Sequence, residues 1–305
     1  MILLTGASGY IGQRLLPSLQ TLKGSGAVIT AGRDASSCDR PLDLHKVSDY
    51  GDVTNGVETL IHCAGLAHNS ATNEDYERIN VQASLALADA ALATGVRRFI
   101  YISSMNVVDP DSRNPHTAIT ALPCPTLPYA ASKWRAEREL EALLSRSSCE
   151  LHIIRPALVY DRQLTGNLAA LAAIAQFIPA RFPEAGHRSM ICREDLVSAI
   201  SAIVATPFGS LGVHRYGVWD GQRYSAGRIA DAIVGVRRIR LPHWLWQAAA
   251  ALRDIGQGIP LGTTWSAIGV DHWVAGRGVE PVFKVAWQLE SRLVRPPFSN
   301  GANRG

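Results

Sequence analysis

Tyr129 and Lys133 stand four residues apart, a spacing that puts two side chains on one face of a helix. A free tyrosine titrates near about 10, too high for a proton acceptor at neutral pH. A neighbouring ammonium stabilises the phenolate, and each pKa unit is about 1.4 kcal/mol. A phenol lowered in this way can pass a proton to or from a carbinol oxygen while hydride leaves or joins the carbon. Such transfer contributes about 100- to 10,000-fold to a rate. Ser104 stands 25 residues earlier, at the end of the apolar run Phe99-Ile100-Tyr101-Ile102, where its hydroxyl can donate to the same oxygen. A Tyr-x-x-x-Lys pair by itself is usually a solvated helix face, so its weight here comes from what precedes it.

Hydride chemistry needs a carrier, and the N-terminus offers a cradle for one. Met1 to Leu4 is an apolar run, followed by Thr5-Gly6-Ala7-Ser8-Gly9-Tyr10-Ile11-Gly12 and then Leu15, Leu16, Leu19 and Leu22 at helical spacing. This predicts a buried strand, a glycine turn and a helix. Gly6 permits the tight turn, Gly9 lets a pyrophosphate approach the backbone, and Gly12 lets the helix pack against the sheet. The backbone N–H groups around Ser8, Tyr10 and Ile11 open the helix, where its dipole favours an anion.

Further apolar runs supply the other strands. Ala27 to Ala31 ends in Gly32-Arg33-Asp34. An arginine at this strand end suits a 2′-phosphate and leans to NADP(H), whereas an acid there suits the ribose hydroxyls of NAD. Arg33 tips the balance to NADP(H), and a shift of two residues toward Asp34 reverses it. Val57 to Ile61 leads into His62-Cys63-Ala64-Gly65, whose small residues leave room for a ligand at the carboxyl edge of a parallel sheet. Tyr76 to Thr94 reads as a long helix with Tyr76, Ile79, Asn80, Ala83, Leu87, Ala90 and Ala91 on one face, stopped by Gly95. A proline-rich loop from Asp109 to Pro128 then delivers Tyr129, a length that marks functional loops. Strands alternating with helices predict an α/β fold, a doubly wound parallel sheet. His62 and His68 lack partners at ligand spacing, so no metal site is expected.

The glycine turn, the strand-end serine and the Tyr-x-x-x-Lys pair, in that order, resemble the extended short-chain dehydrogenases/reductases, in their NAD-dependent epimerase/dehydratase branch. T-G-x-x-G-x-x-G is that family's glycine spacing. Arg155-Pro156-Ala157-Leu158-Val159-Tyr160 resembles its R-P-x-x-V-Y-G, with Asp161 in place of the glycine. Arg188-Ser189-Met190-Ile191 and Asp195-Leu196 resemble R-x-x-x-H-V-x-D-L, with Cys192 and Arg193 departing from it. The match covers about residues 1 to 235. It is similar to bacterial enzymes acting at C4 of UDP-N-acetyl-hexosamines in surface-polysaccharide synthesis, both 4-epimerases and 4-keto-reductases. The resemblance implies an NAD(P) cofactor held by the glycine turn, Asp43 and Leu44, Cys63 to Gly65, and Pro156. It implies that Ser104 binds the C4 oxygen, Tyr129 is the acid/base, and Lys133 binds the nicotinamide ribose and tunes the tyrosine. It also implies that Asn80 braces the site, that Asn167 and Arg188 hold a nucleotide-sugar diphosphate, and that Phe182 stacks on the uracil. Asp43 as a turn residue and Phe182 as a core aromatic are equally consistent with the residues.

A chain of 305 residues with 47% hydrophobic and 18% charged residues is an ordinary globular composition, and a net charge of +4 without a basic run gives no reason to expect nucleic acid. The N-terminus enters a strand at once and no apolar stretch reaches about 20 residues, so neither a signal peptide nor a transmembrane helix is expected. Five cysteines without metal or redox spacing read as reduced thiols in a cytoplasmic protein. Residues 1–160 read mainly as the NAD(P)-binding domain. Residues 161–296 read mainly as a substrate lobe with elements returning to the sheet, and 297–305 as a tail. In that lobe Ser225 caps a helix to Val234, and Leu241 to Leu252 forms a tryptophan- and alanine-rich helix that packs on the lobe or meets a membrane or partner. The family's Gly-Trp-x-Pro is reduced to Gly278-Val279-Glu280-Pro281. The helices at 74–94 and 129–147 serve either a homodimer or internal packing. Besides the nucleotide-sugar enzyme, two alternatives fit: a ketoreductase on a non-sugar substrate, and a non-catalytic dinucleotide-binding module.

Overall fold

The computed structural model describes residues 1–46, 50–67, 71–108, 114, 116–178, 180–235, 239–240, 242–256, 271, 273 and 285–293. The chain enters β1 (Ile2–Thr5), turns through the glycines into α1 (Gly12–Lys23) and returns as β2 (Val28–Gly32) and the short β3 (Arg40–Pro41). A single turn, α2 (Gly51–Thr54), precedes β4 (Thr59–His62). Next, α3 (Asn73–Tyr76), a π-helical turn (Glu77–Gln82) and α4 (Ala83–Ala93) run on as one helical stretch to β5 (Arg98–Ile102). After the proline-rich loop come α5 (Pro128–Leu144), β6 (Glu150–Pro156) and β7 (Leu158–Tyr160). They are followed by α6 (Gly166–Ala175), β8 (Ala180–Arg181), β9 (Met190–Cys192), α7 (Arg193–Ala205) and β10 (Val213–Val218). The last described elements are α8 (Ala226–Val234), β11 (Ile239–Arg240), α9 (His243–Gly256) and α10 (Leu289–Leu293).

Seven strands pair in the order β10-β6-β5-β4-β1-β2-β3, all parallel. Strand side chains alternate between two cores. Leu3, Leu60 and Phe99 meet Leu87 of α4 and Leu140 of α5 on one face. Leu4, Ile61 and Ile100 meet Leu15 and Leu19 of α1 and Ile200 of α7 on the other. Leu22, expected on the same helix face, is 42% exposed because it lies past the last turn that meets the sheet. The alanine-rich α4 packs against α5 within the chain. The chain order reverses between β1 and β4, which places a crevice at the carboxyl ends of these strands, where such sheets bind ligands.

The C-terminal half divides. α7 and β10 return to the sheet, while β7 with β9, β8 with β11, α6 and α8 form a smaller body with its own core of Tyr160, Leu168, Met190, Tyr224 and Ile229. Ser225 does cap α8, its hydroxyl accepting from the Arg228 N–H at 3.0 Å. The helix expected at Leu241 to Leu252 is α9. It packs Trp246 inward on Phe182 and leaves Trp244 and Leu252 exposed. No helix among the described residues is long and apolar enough to cross a membrane. His68, Gly278 to Pro281 and the tail 297–305 lie outside the described residues.

Candidate active site

The glycine turn is built so tightly that side chains are excluded. A Cβ on Gly6, whose φ is +71°, would stand 2.7 Å from the Ala64 nitrogen, and one on Gly12 would stand 2.1 Å from the Gly6 carbonyl oxygen. Gly9 donates its N–H to that carbonyl at 2.9 Å. α1 begins at Gly12 with no capping side chain and no acid in its first turn. The helix start therefore presents backbone donors with no side chain competing for them, which fits a dinucleotide pyrophosphate. The opposite wall is the loop after β4. There the Ala64 N–H donates to Thr5 Oγ1 at 3.3 Å, and Leu44 of the neighbouring segment buries its side chain in the core.

At the adenine end, Arg33 is exposed just past β2 and no described residue pairs with it. Asp34 is already engaged: its carboxylate accepts from the N–H and hydroxyl of Ser36 at 2.9 and 2.6 Å, which holds its pKa below the usual range. Asp43 accepts from the His45 N–H at 3.1 Å, the turn role that its residue type allows.

Ser104, Tyr129 and Lys133 come together at the carboxyl edge of β5. Ser104 follows the strand, 9% exposed, and its hydroxyl lies toward the Tyr129 phenol, where it favours the phenolate. Pro128 opens α5 at a position where a missing N–H costs nothing, so Tyr129 and Lys133 lie in its first two turns. Lys133 donates to the Ile102 carbonyl at 2.9 Å and lies over the Tyr101 ring at 4.6 Å. Burial pushes its pKa down to about 8, with Cys63 and Glu137 opposing. The expected lowering of Tyr129 is not found. Burial raises the phenol to about 12, against which the Ser104 hydroxyl works and to which Tyr76 adds. The ammonium is tethered to Ile102, and its surroundings outweigh any effect on the phenol. At neutral pH Tyr129 therefore carries its proton, the form that donates to a carbonyl oxygen.

Asn80 holds this group in register. Its amide accepts from the Leu66 N–H at 2.8 Å and donates to the Leu66 carbonyl at 3.0 Å and to Ser132 Oγ at 3.0 Å. Ser132 in turn donates to the Tyr129 carbonyl at 2.8 Å. The π-helical turn is where Asn80 lies, an irregularity frequent at functional sites. His62 is locked between Thr5 Oγ1 at 2.8 Å and Ser84 Oγ at 2.9 Å, and burial pushes its pKa down to about 3, so it is a neutral core histidine. Burial likewise pushes the Cys63 thiol up to about 12, which leaves it unreactive. No metal-binding cluster occurs among the described residues.

Pro156 ends β6 beside the same edge, paired with Val218. Behind it, Arg155 is fully buried and bound to Glu137 of α5 at 2.6 Å, a pair that sequence reasoning missed because its partners are 18 residues apart on different elements. The substrate residues are less gathered. Asn167 is the second residue of α6; its side chain lies outside the described set. Arg188 is half-buried with its backbone bridged to Tyr224, and burial lowers its guanidinium's pKa while Asp271 opposes. Phe182 corrects one expectation. It is 5% exposed and stacks on Trp246 at 4.7 Å, so the ring expected to meet uracil is packed in the lobe's own core.

A parallel nucleotide-binding sheet with a Ser-Tyr-Lys group at its carboxyl edge defines a dehydrogenase-type enzyme. The sequence profile of the NAD dependent epimerase/dehydratase family matches residues 2–208, and the chain belongs to that family. It is 32% identical over 226 residues to a UDP-glucose 4-epimerase of Vibrio cholerae, covering 68% of this chain and 67% of that one. It is 29% identical over 269 residues to a ceramide reductase of Caulobacter vibrioides, covering 83% and 77%. A solved structure of MoeE5 in complex with UDP-glucose and NAD superposes with a TM-score of 0.70 at 21% identity, covering 96% and 95%. The protein is thus an NAD-dependent enzyme of the epimerase/dehydratase type.

Proposed function

We propose that the protein transfers hydride at C4 of a UDP-sugar, as a 4-epimerase or a 4-keto-reductase in surface-polysaccharide synthesis. The observation that carries this is the gathering of Ser104, Tyr129 and Lys133 at the carboxyl edge of the nucleotide-binding sheet, with Lys133 fastened to the Ile102 carbonyl. Ser104 orients the C4 oxygen, Tyr129 gives it or takes from it a proton, and Lys133 holds the nicotinamide ribose. The nicotinamide supplies or accepts the hydride when bound. Asn167 and Arg188 hold the diphosphate, the arginine fork suiting phosphate geometry. The relation to a UDP-glucose 4-epimerase supports the sugar nucleotide. Arg33, with Asp34 held by its own turn, supports NADP(H) and hence the reductase.

The test is to denature freshly purified protein and assay released cofactor. Near-stoichiometric NAD supports the epimerase, which must retain it. Empty protein that then binds NADPH supports the reductase. Neither release nor binding of either dinucleotide overturns both. A second reading, a ketoreductase on a non-sugar substrate, is favoured by the match to a ceramide reductase, which extends over more of this chain than the epimerase match does. Failure to bind UDP in calorimetry, with reduction of a lipid ketone, would establish it.

A further inference from the structure

Two positions at which the chain departs from its family's pattern are in contact. Asp161, where the family has glycine, pairs with Arg193 at 2.5 Å. Asp161 also holds Arg292 at 2.7 Å, and Arg292 reaches Glu194 at 2.6 Å. Asp161, Arg193 and Arg292 are 2%, 6% and 7% exposed. A buried carboxylate or guanidinium is unfavourable alone, and here both buried guanidinium groups share Asp161 as their anion. The four charges cancel, and the cluster adds little net field to the phosphate cradle. What it adds is position.

Arg193 reaches out of this cluster to the glycine turn. Its Nη1 donates to the Tyr10 carbonyl at 3.1 Å, and its guanidinium lies over the Tyr10 ring, 4.4 Å from the centroid. Tyr10 is the one large aromatic in that turn. The chain Asp161–Arg193–Tyr10 thus runs from the ion cluster to the cofactor cradle.

We propose that Arg193 is a positioning residue that sets the cofactor loop through Tyr10 and so fixes dinucleotide affinity.

Calorimetry with NAD(H) on the full chain tests it. Arg193→Met should weaken NAD(H) about 10-fold or more, the loss of a charge-assisted bond, and Arg193→Lys should recover part of it. Tyr10→Leu, which removes the ring under the guanidinium and keeps the backbone carbonyl, should weaken it about 3-fold. Unchanged NAD(H) affinity in a folded Arg193→Met overturns the positioning role. If that variant fails to fold, wild-type affinity in both Arg193→Lys and Tyr10→Leu overturns it instead.

Discussion

A buried lysine held at about 8 makes activity sensitive to mildly alkaline pH. As pH rises through that value Lys133 loses its charge, and kcat/KM should fall above about pH 8 if the ammonium holds the ribose. Against 10.5 in the unfolded chain, the folded state binds fewer protons between about 8 and 10.5. The cost of burying this charge therefore eases over the same window in which activity falls, and denaturant melts across it separate the two effects. Tyr129→Phe should lower turnover about 100- to 10,000-fold while NAD(H) titrations stay unchanged; full activity would remove Tyr129 from the chemistry. Arg33→Ala should raise KM for NADP(H) more than for NAD(H), and equal shifts would dismiss the strand-end reading. The Tyr129–Lys133 pair was legible because helical spacing puts the two side chains on one face. Its protonation was not, because the Ile102 carbonyl that tethers the lysine and the burial that raises the phenol depend on tertiary packing.

Elements explain how those residues are aimed. The helix over residues 76 to 94 was readable from its apolar face, and every residue assigned to that face is buried. Its π-helical turn was not readable, since one wide turn leaves a helical pattern nearly intact. Yet that turn is where Asn80 ties the loop after β4 to α5. Asn80→Ala would leave the Leu66 N–H and carbonyl without their partner, about 1–3 kcal/mol for a buried group left unpaired. Urea melts should show that loss. Turnover should fall together with it, because Ser132 and the Tyr129 backbone lose their brace. Turnover unchanged in a destabilised Asn80→Ala would make Asn80 a stability residue only. Phe182 shows the converse: an aromatic between prolines fits a ligand stack as well as a core, and only its contact with Trp246 decides.

At the scale of the molecule, buried ion pairs fasten the sheet to the layers around it, and these were illegible because their partners are distant in sequence. Arg98 of β5 binds Glu150 of β6 at 2.7 Å and donates to the carbonyls of Ile203, Thr206 and Pro207 at the end of α7, where a helix favours a cation. Burial alone would raise the Glu150 carboxyl. The Gly209 N–H and the Arg98 guanidinium more than offset it and hold the group at about 2, against 4.5 in the unfolded chain. With the folded value depressed, the stabilisation is complete above about 4.5 and is lost as pH falls toward 2. Denaturant melts between pH 6 and pH 3 should show that decline. Glu150→Gln should cost about 3–5 kcal/mol at pH 6 by stranding a buried guanidinium, and should flatten the acid limb. If the variant's stability falls with acid as steeply as the wild type's, some other carboxylate governs acid unfolding. If its loss at pH 6 is small, the carbonyls at the end of α7 suffice to satisfy Arg98, and the junction of sheet and helix holds without its anion.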